Sequence, residues 1–246
     1  NGLPPVDAIL NTMGFPLVGG PAGSRPDEAV PVLENLDVAY LDMIPLGFQR
    51  VEDWQADDVG LNPMQVAMNI ALPELDGSAE PVIYGGPTFE GEKFKALLPE
   101  LNLTARRVAR RVRLRSRTNA QKKISIVLFN FPPNLGNAGT AAFLDVFASL
   151  YKLLANMQAA GYTVDLPESA DALRKLVVEG NATTYGTDSN VGDTMKLDDY
   201  RRLFPWYTEI ENFWGPAPGE LLTDGKDFHI MGAHLGNVFV AVQPGF

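Results

Sequence analysis

The 246-residue sequence is 46% hydrophobic and 9% aromatic, which provides enough apolar side chains for a buried core and argues against a disordered or fibrous chain. It contains no cysteine, so disulfide bonds, thiolate zinc sites and iron–sulfur clusters are excluded, and a metal ion could be held only by oxygen ligands or by the two histidines. A formal net charge of −10 disfavours nucleic acid as a partner.

The chain begins at Asn1 with Gly2-Leu3-Pro4-Pro5, which lack the basic region and the apolar core of a secretory signal. No apolar stretch is long enough to cross a bilayer. We therefore expect a soluble intracellular protein. The missing initiator methionine, and a last predicted strand with no closing element after it, are typical of a piece of a larger multidomain protein.

Short apolar runs alternate with amphipathic helical patterns along the first part of the chain. The runs predict strands at residues 8–10, 38–41 and 82–84. Pro26 begins a predicted helix, because proline suits the first turn and the acids that follow favour the positive end of the helix dipole. A second helix is predicted to follow Pro63 and to end at Pro73. This alternation is typical of a mostly parallel sheet crossed over by helices.

Basic residues are concentrated between residues 106 and 123. This stretch holds nine of the 20 Lys and Arg residues and no acid, which leaves 11 basic against 30 acidic residues, or −19, in the rest of the chain. As a helix it would turn Val108 and Val112 inward and its arginines outward. Two interpretations stay open: a solvated helix face that leads into the next strand, or a contact for an anionic ligand or a partner subunit.

The strongest predicted strand, residues 124–129, opens the second part of the chain. A loop rich in Pro, Gly and Asn follows it, then a long apolar helix to about residue 160. A strand at residues 162–164 would complete a βαβ unit, and Ser169 is the predicted N-cap of the next helix. The later predicted elements are a loop at residues 180–193, a helix at 206–214 and a strand at 238–242.

The predicted elements place the chain in the α/β class, with mostly parallel, doubly wound sheets that are built from βαβ units and flanked by helices. We expect two such regions, residues 1–117 and residues 118–246. The boundary between them falls within the basic stretch, after Arg117 and before the strongest strand.

The loop of residues 131–140 lies where open α/β sheets bind ligands, between the carboxyl end of a strand and the amino end of a helix. Gly136, Asn137 and Gly139 would let the backbone approach an anion closely. The P-loop lysine and a complete G-x-G-x-x-G motif are both absent, which weakens a nucleotide site. A plain strand-to-helix turn and a contact for another anionic ligand are the alternatives.

Two carboxylates, Glu74 and Asp76, stand two residues apart at a helix end that Pro73 and Gly77 make irregular. Carboxylates on such a loop can be held near a cleft, where burial shifts their pKa values. They could then accept protons or carry a hard cation, which prefers oxygen ligands. Ordinary capping and turn chemistry is the alternative.

His229 and His234 are the only histidines. On a strand, residues five apart face opposite sides, so a joint metal site would need a bend at Gly232. His234 lies in the segment GAHLGN, residues 232–237, at a predicted turn, and could reach a pocket. A surface histidine or a hydrogen-bonded structural histidine is the alternative for both.

Three longer stretches resemble a known family. They are QVAMNIALPELDG at residues 65–77, FNFPPNLGNAGTAAFLDVFASL at 129–150 and WGPAPGELLTDGKDFHIMGAHLGNVFVAVQP at 214–244, and NTMGFPLVGGPA at 11–22 adds to them. In this order they resemble the central region of the large, porphyrin-binding H subunits of magnesium chelatase, whose wider family includes the large subunit of aerobic cobaltochelatase. The resemblance covers nearly the whole chain, and its details are nearer to the bacteriochlorophyll type than to the plant type.

The resemblance implies ATP-driven insertion of Mg²⁺ into protoporphyrin IX, as in chlorophyll and bacteriochlorophyll biosynthesis. ATP would be hydrolysed by separate AAA+ partner subunits of the I and D types, which agrees with the missing P-loop. The protein would then work in the cytoplasm, or in the plastid stroma of a phototrophic eukaryote. Two alternatives remain: a cobaltochelatase large subunit that inserts cobalt into a corrinoid, and a non-catalytic module that binds porphyrin or docks the ATPase.

The resemblance also implies roles for particular residues. Glu74 would be the principal acid/base or Mg²⁺-delivering carboxylate, Asp76 would support it as a second metal ligand, and His234 would be a weaker catalytic candidate. We expect porphyrin contacts at Gly136, Asn137, Gly139 and Asn237. The sequence departs from the family where Ala241 replaces an expected glycine, and the family's histidine-containing segment beyond the GNVF strand is missing. These departures put catalysis by this chain alone in doubt.

Overall fold

A computed structural model describes residues 6–21, 23–89, 93–130 and 144–243. The chain divides into two compact units, Asn1–Ser116 and Arg117–Phe246. Within the described residues each unit contains a four-stranded sheet and several helices, so the predicted α/β class is confirmed. None of the helices that the structure describes is long and apolar enough to cross a membrane.

Parallel pairing predominates in the sheet of the first unit. Its strands are β1 (Ala8–Asn11), β2 (Ala39–Pro45), β3 (Ala79–Pro87) and β4 (Phe94–Ala96). They lie in the order β1-β2-β3-β4, with two parallel pairs and an antiparallel edge strand, β4. The helices are α1 (Pro26–Leu36), α2 (Val51–Ala56), α3 (Pro63–Val66), α4 (Leu72–Leu75) and α5 (Leu98–Arg115). The three predicted strands and the helix start at Pro26 are confirmed.

The two faces of this sheet differ in character. Leu10 of β1 and Met43 of β2 line a mainly apolar groove against α5 on one face. The parallel register pairs Asn11 with Asp42, and because side chains alternate along a strand, these two residues and Tyr40 lie on the other face. The sheet therefore separates an apolar side from a polar side.

A π-helical turn at Ala67–Ala71 joins α3 and α4 into one continuous helical segment. The Leu72 N–H bonds to the Ala67 carbonyl, five residues back. Pro73 follows this wider turn inside the segment, and its missing N–H is tolerated because the π-helical turn already departs from the α-helical hydrogen-bond pattern there. The prediction that Pro73 ends the helix was therefore wrong, and the segment ends at Leu75.

Antiparallel pairing predominates in the sheet of the second unit. Its strands are β5 (Ile124–Leu128), β6 (Val191–Lys196), β7 (Asp227–Leu235) and β8 (Val238–Val242). They lie in the order β5-β8-β7-β6, and among these described strands only β5 and β8 pair in parallel. The mostly parallel pairing expected from the sequence is thus found in the first unit but not here. The reason is that Gly236 and Asn237 join β7 to β8 by a two-residue turn, which only antiparallel strands can use.

The second unit also contains the helices α6 (Val146–Ala159), α7 (Ala170–Arg174), α8 (Ala182–Tyr185), α9 (Leu197–Leu203) and α10 (Tyr207–Trp214). Of these, α6 and α7 pack against the sheet and contribute to its core. Leu154 of α6, Leu173 of α7 and Val240 of β8 belong to one hydrophobic cluster and are completely buried. Ser169 caps α7 as predicted, since its hydroxyl oxygen accepts a hydrogen bond from the Ala172 N–H at 3.1 Å.

Two predictions for the second unit are corrected by the structure. Residues 162–164 form no strand: the Thr163 carbonyl accepts from the Asn237 N–H at 2.9 Å, and the Thr163 hydroxyl donates to the Ala120 carbonyl at 3.1 Å. The predicted βαβ unit therefore does not form through this segment. Residues 180–193 are not all loop, since they contain α8 and the start of β6. Strand β6 is a largely exposed edge strand, so it lacks the apolar alternation that predicts a half-buried strand.

Candidate functional site

Glu74 and Asp76, the two predicted metal-binding carboxylates, have different surroundings. Glu74 lies on α4 and is exposed, whereas Asp76 follows α4 and is only 2% exposed. The Leu17 N–H donates to Asp76 Oδ2 at 2.8 Å, and the Ser24 hydroxyl donates to Asp76 Oδ1 at 3.4 Å. Asp76 therefore uses both carboxylate oxygens to hold a loop of its own unit, and Glu74 is the carboxylate that is open to a ligand.

The loop between β1 and α1 is tied to the same region by further contacts. The Asn11 amide donates to the Phe15 carbonyl at 3.0 Å, and the Asn69 amide donates to the Gly14 carbonyl. Gly14 has φ 70°, and a Cβ at this position would lie 2.8 Å from Pro45 Cδ, so a side chain does not fit there. These contacts fix the loop to the ends of β1 and β2 and to the π-helical turn.

Replacing Asp76 with alanine is expected to lower the free energy of unfolding of the first unit by about 2 kcal/mol, because the Leu17 N–H loses a charged acceptor. Urea unfolding followed by tryptophan fluorescence measures the effect. Asp58→Ala, at an exposed position of the same unit, is the matched control. An equally small change in both variants would contradict the structural role of Asp76.

Asp42 is a buried carboxylate that the sequence reasoning missed. It lies on β2, is 2% exposed, and neither of its carboxylate oxygens has a hydrogen-bond partner among the described residues. Burial raises the pKa of Asp42 to about 7, and the negative charge of Glu74 adds to the rise. The Met43 backbone N–H partly offsets this rise in the pKa, although it does not lie in hydrogen-bond geometry with either carboxylate oxygen of Asp42. Asp42 can therefore gain or lose a proton near neutral pH, within electrostatic reach of the exposed Glu74.

Further polar groups of the first unit are buried. Burial, together with the negative charges of Asp76 and Asp42, raises the pKa of the Tyr40 hydroxyl to about 12, and the Asn11 side chain opposes this rise. Other buried polar atoms of this unit without a hydrogen-bond partner in the described part of the chain include Ser78 Oγ, Asn69 Oδ1 and Gln65 Nε2. Such atoms are rare in folded proteins and mark places where a ligand, an ion or water completes the network. The polar side of the first sheet, with Asp42 inside and Glu74 exposed, is therefore the candidate site.

One signal in the sequence could have revealed Asp42. It interrupts the apolar run of residues 39–44, and an acid is almost never fully buried unless it is paired. A single acid within a predicted buried strand is therefore a candidate for a perturbed pKa.

The two histidines belong to the second unit and have opposite environments. His234 is exposed and lies on β7 just before the turn, rather than in the turn as expected. Its Nε2 lies 3.5 Å from Asp193 Oδ2, and its ring centroid lies 4.5 Å from that of Phe239. His229 is 7% exposed and meets the Tyr185 ring edge-on at 5.0 Å. Within the residues that the structure describes, no group of three His, Asp or Glu side chains is placed to hold a metal ion.

The predicted porphyrin contacts lie in two places. Gly136, Asn137 and Gly139 fall outside the described residues. Asn237 occupies the turn between β7 and β8, where its amide donates to the Ala120 carbonyl at 2.8 Å. Asn237 therefore holds this turn in place, and its contact with porphyrin stays a prediction.

Fold and site together define an α/β chain with a buried polar sheet face and one exposed carboxylate beside it. Over residues 1–246 the sequence matches the family CobN/Magnesium Chelatase. The chain belongs to this family, so the family resemblance found in the sequence is confirmed. The nearness to the bacteriochlorophyll type is not, since a plant relative and a bacterial relative match about equally well.

Two curated proteins and one solved structure show where in the family the similarity lies. The chain is 39% identical over 247 residues to the chloroplastic magnesium-chelatase ChlH protein of Oryza sativa subsp. indica, with 100% of this chain and 18% of that protein covered. It is 37% identical over 259 residues to the magnesium-chelatase H protein of Cereibacter sphaeroides, with 98% of this chain and 22% of that protein covered. The catalytic subunit of cobaltochelatase from Mycobacterium tuberculosis superposes with a TM-score of 0.72 at 25% identity, over 97% of this chain and 21% of that one. The chain thus spans about a fifth of the length of these relatives.

Proposed function

We propose that the chain is a segment of the porphyrin-binding large subunit of a magnesium chelatase, which inserts Mg²⁺ into protoporphyrin IX in chlorophyll or bacteriochlorophyll biosynthesis. The observation that carries the proposal is the similarity along the whole chain to two magnesium-chelatase H proteins, at 39% and 37% identity, against 25% for the cobaltochelatase. ATP would be hydrolysed by separate I and D subunits. The complex would work in the cytoplasm or in the plastid stroma.

The reaction makes two demands on the protein. Mg²⁺ gives up water reluctantly, so a carboxylate oxygen has to replace water while the ion is brought to the ring. Two pyrrole N–H bonds break as the four nitrogens take the metal, and the two protons pass to bases and then to water. The exposed carboxylate of Glu74 supports the first role. Asp42, with a pKa of about 7 and within electrostatic reach of Glu74, supports a role as a buried proton acceptor.

The other predicted site residues have smaller parts in this proposal. Asp76 would support Glu74 mainly by holding the loop, because both of its oxygens accept hydrogen bonds. His234 stays the secondary catalytic candidate, since it is exposed and Asp193 lies 3.5 Å from it. The porphyrin contacts proposed are Gly136, Asn137, Gly139 and Asn237.

Metal insertion by the intact subunit tests the proposal. The purified subunit, its two ATPase partners and ATP are mixed with protoporphyrin IX and with either Mg²⁺ or Co²⁺, and the product is followed by absorption and fluorescence. We expect ATP-dependent formation of magnesium protoporphyrin IX. Cobalt insertion into a corrinoid, without any magnesium product, would establish the cobaltochelatase alternative instead.

Glu74→Gln in the intact subunit is expected to slow Mg²⁺ insertion about a hundredfold and to leave the affinity for protoporphyrin IX within about twofold, because the amide keeps the shape but loses the anionic oxygen. Product fluorescence gives the rate, and quenching of tryptophan by porphyrin gives the affinity. Glu34→Gln, an exposed position on α1 of the same unit, is the matched control. Unchanged insertion would remove Glu74 from the mechanism.

A non-catalytic module that binds porphyrin or docks a partner is the second candidate. It is favoured by two exposed aromatic side chains of the second unit, Trp206 and Trp214, on which a flat macrocycle can stack. Protoporphyrin IX added to the 246-residue chain should then quench Trp206 and Trp214, which are 59% and 76% exposed. Quenching, together with full metal insertion by the Glu74→Gln subunit, would assign the chain to binding alone.

A further inference from the structure

Helix α5 carries two rows of arginines with different surroundings. The first row is paired with acids of the same unit: Arg111 with Glu80, Arg107 with Glu80 at 3.9 Å, and Arg115 with Asp37 at 3.9 Å. The second row is exposed and forms no ion pair with any acid that the structure describes. It consists of Arg106, Arg110 and Arg113, and is called the arginine ridge below.

The spacing of the ridge places its three side chains on one side of the helix. Residues at i, i+4 and i+7 share a face, and with a rise of about 1.5 Å per residue they span roughly 10 Å along the axis. The buried Thr104, which is 4% exposed, lies on the opposite side of the helix. Two exposed leucines lie along one side of the ridge, Leu103 at 38% and Leu114 at 47%. The ridge is therefore an exposed cationic strip on the side of α5 opposite Thr104, and Arg113 at its end also borders the groove between α5 and the sheet.

Nothing in the neighbouring sequence neutralises this strip. Residues 101–123 contain no Asp or Glu, and Glu80 and Asp37 are paired with the first row of arginines. Like charges at i, i+3 and i, i+4 repel one another, so the ridge lowers the stability of the isolated helix. Carboxylates supplied from outside would remove this repulsion. Guanidinium groups suit that role, because they bind carboxylates through two parallel hydrogen bonds.

We propose that the arginine ridge is a docking surface for an acidic protein face, with carboxylates spaced about 5 Å apart along roughly 10 Å, as on one side of an acidic helix. Charge complementarity also decides the class of partner. The rest of the chain carries −19, so its net charge repels an extended polyanion such as nucleic acid or an anionic membrane, whereas a compact acidic protein face needs to contact the ridge alone. The exposed leucines suit a protein interface, in which Arg and apolar side chains are combined.

The choice of partner rests on the proposed function, under which the ATPase subunits of the chelatase are the proteins that have to dock. The purified ATPase subunits are immobilised one at a time, and the Kd of the 246-residue chain is measured by biolayer interferometry at low and high salt. The triple variant R106E/R110E/R113E is expected to bind at least thirtyfold more weakly than the unmodified chain. A charge-preserving triple variant, R106K/R110K/R113K, is expected to lose less, and circular dichroism checks that both remain folded.

The matched control changes the net charge by the same amount as R106E/R110E/R113E, but at positions outside α5. It reverses the charges of three exposed lysines of the second unit, Lys152, Lys196 and Lys226, by substitution with glutamate. If the control weakens binding as much as the ridge variant does, the effect comes from net charge alone and the proposal is overturned. An unchanged Kd of the ridge variant would also overturn it. Binding of the unmodified chain to heparin or to phosphatidylserine vesicles, but to neither ATPase subunit, would also overturn it. Metal insertion by the intact subunit is measured separately, so the proposed function can stand even if the ridge proposal fails.

Discussion

Asp42→Asn should raise the free energy of unfolding of the first unit by roughly 3 kcal/mol at pH 8 and should leave it nearly unchanged at pH 4. The Asp42 carboxyl is 2% exposed, and its oxygens have no hydrogen-bond partner among the described residues. Its pKa is about 7 in the folded chain against an ordinary value of 3.8. A difference of this size corresponds to about 4 kcal/mol between the two protonation states, and the asparagine side chain does not ionise.

The sign of this effect follows from proton binding. Between about pH 4 and pH 7 the folded state keeps a proton on Asp42 that the unfolded state has released, so the free energy of unfolding falls as the pH rises through this window. Below about pH 4 the carboxyl is neutral in both states, and above about pH 7 the full penalty is present. A carboxyl group whose pKa is raised in the folded state therefore destabilises the fold most at alkaline pH.

Urea unfolding of the chain and of Asp42→Asn at pH 4 and pH 8 measures the difference. Asp58→Asn is the control, because it makes the same chemical change at an exposed position of the same unit. Destabilisation by Asp42→Asn at pH 8 would mean that the carboxylate is stabilised by a partner in solution. An equal gain at both pH values would mean that the effect comes from packing rather than from ionisation.

Gly232→Ala is expected to destabilise the second unit by about 4 kcal/mol or more. Gly232 lies on β7 with φ 141°, a conformation that residues with a side chain rarely adopt. An added Cβ would lie 2.2 Å from the Val240 carbonyl oxygen and 2.8 Å from Ala241 Cα. Both contacts are with the backbone of β8, which cannot move away without breaking the pairing of the two strands.

Thermal unfolding followed by circular dichroism measures this loss. Gly161→Ala is the matched control, since Gly161 also has positive φ, 85°, but a Cβ there would meet no atom within 4 Å. The control is expected to cost about 1 kcal/mol, from backbone strain alone. Similar costs for the two variants would show that β8 can accommodate the methyl group.

The same glycine shapes the surroundings of His234. A Cβ at Gly232 would lie 3.0 Å from the Phe239 ring, and a Cβ at Gly192 would lie 2.9 Å from it, so the two glycines let this ring lie against the sheet. The Phe239 ring in turn contacts the His234 imidazole, with centroids 4.5 Å apart. Gly232→Ala should therefore disturb the position of His234 as well as the stability of the unit.

Elements that depend on neighbouring residues were predicted well from the sequence. Pro26 begins α1, Ser169 caps α7, and the apolar run at Ile124–Leu128 forms β5. These signals depend on a few neighbouring residues, so they can be recognised without knowledge of the fold. Strand β6 was missed because an edge strand is held by its partner β7, and the π-helical turn at Ala67–Ala71 was missed because no local pattern of apolar residues distinguishes it from an α-helix.

The candidate site was predicted only in part. The motif that contains Glu74 and Asp76 was recognised, but the difference between the two carboxylates depends on Leu17 and Ser24, which are 59 and 52 residues from Asp76. Asp42 was missed, because its burial and its raised pKa follow from elements that are far from it in sequence.

By itself, the sequence determined the α/β class, most of the helices and strands, and the family to which the chain belongs, since periodicity, caps and motif order are properties of residues that are close along the chain. Only the tertiary structure decided which carboxylate is open to a ligand, which one is buried without a partner among the described residues, and why Gly232 has no room for a side chain. These features depend on contacts between segments that the chain brings together only when it folds.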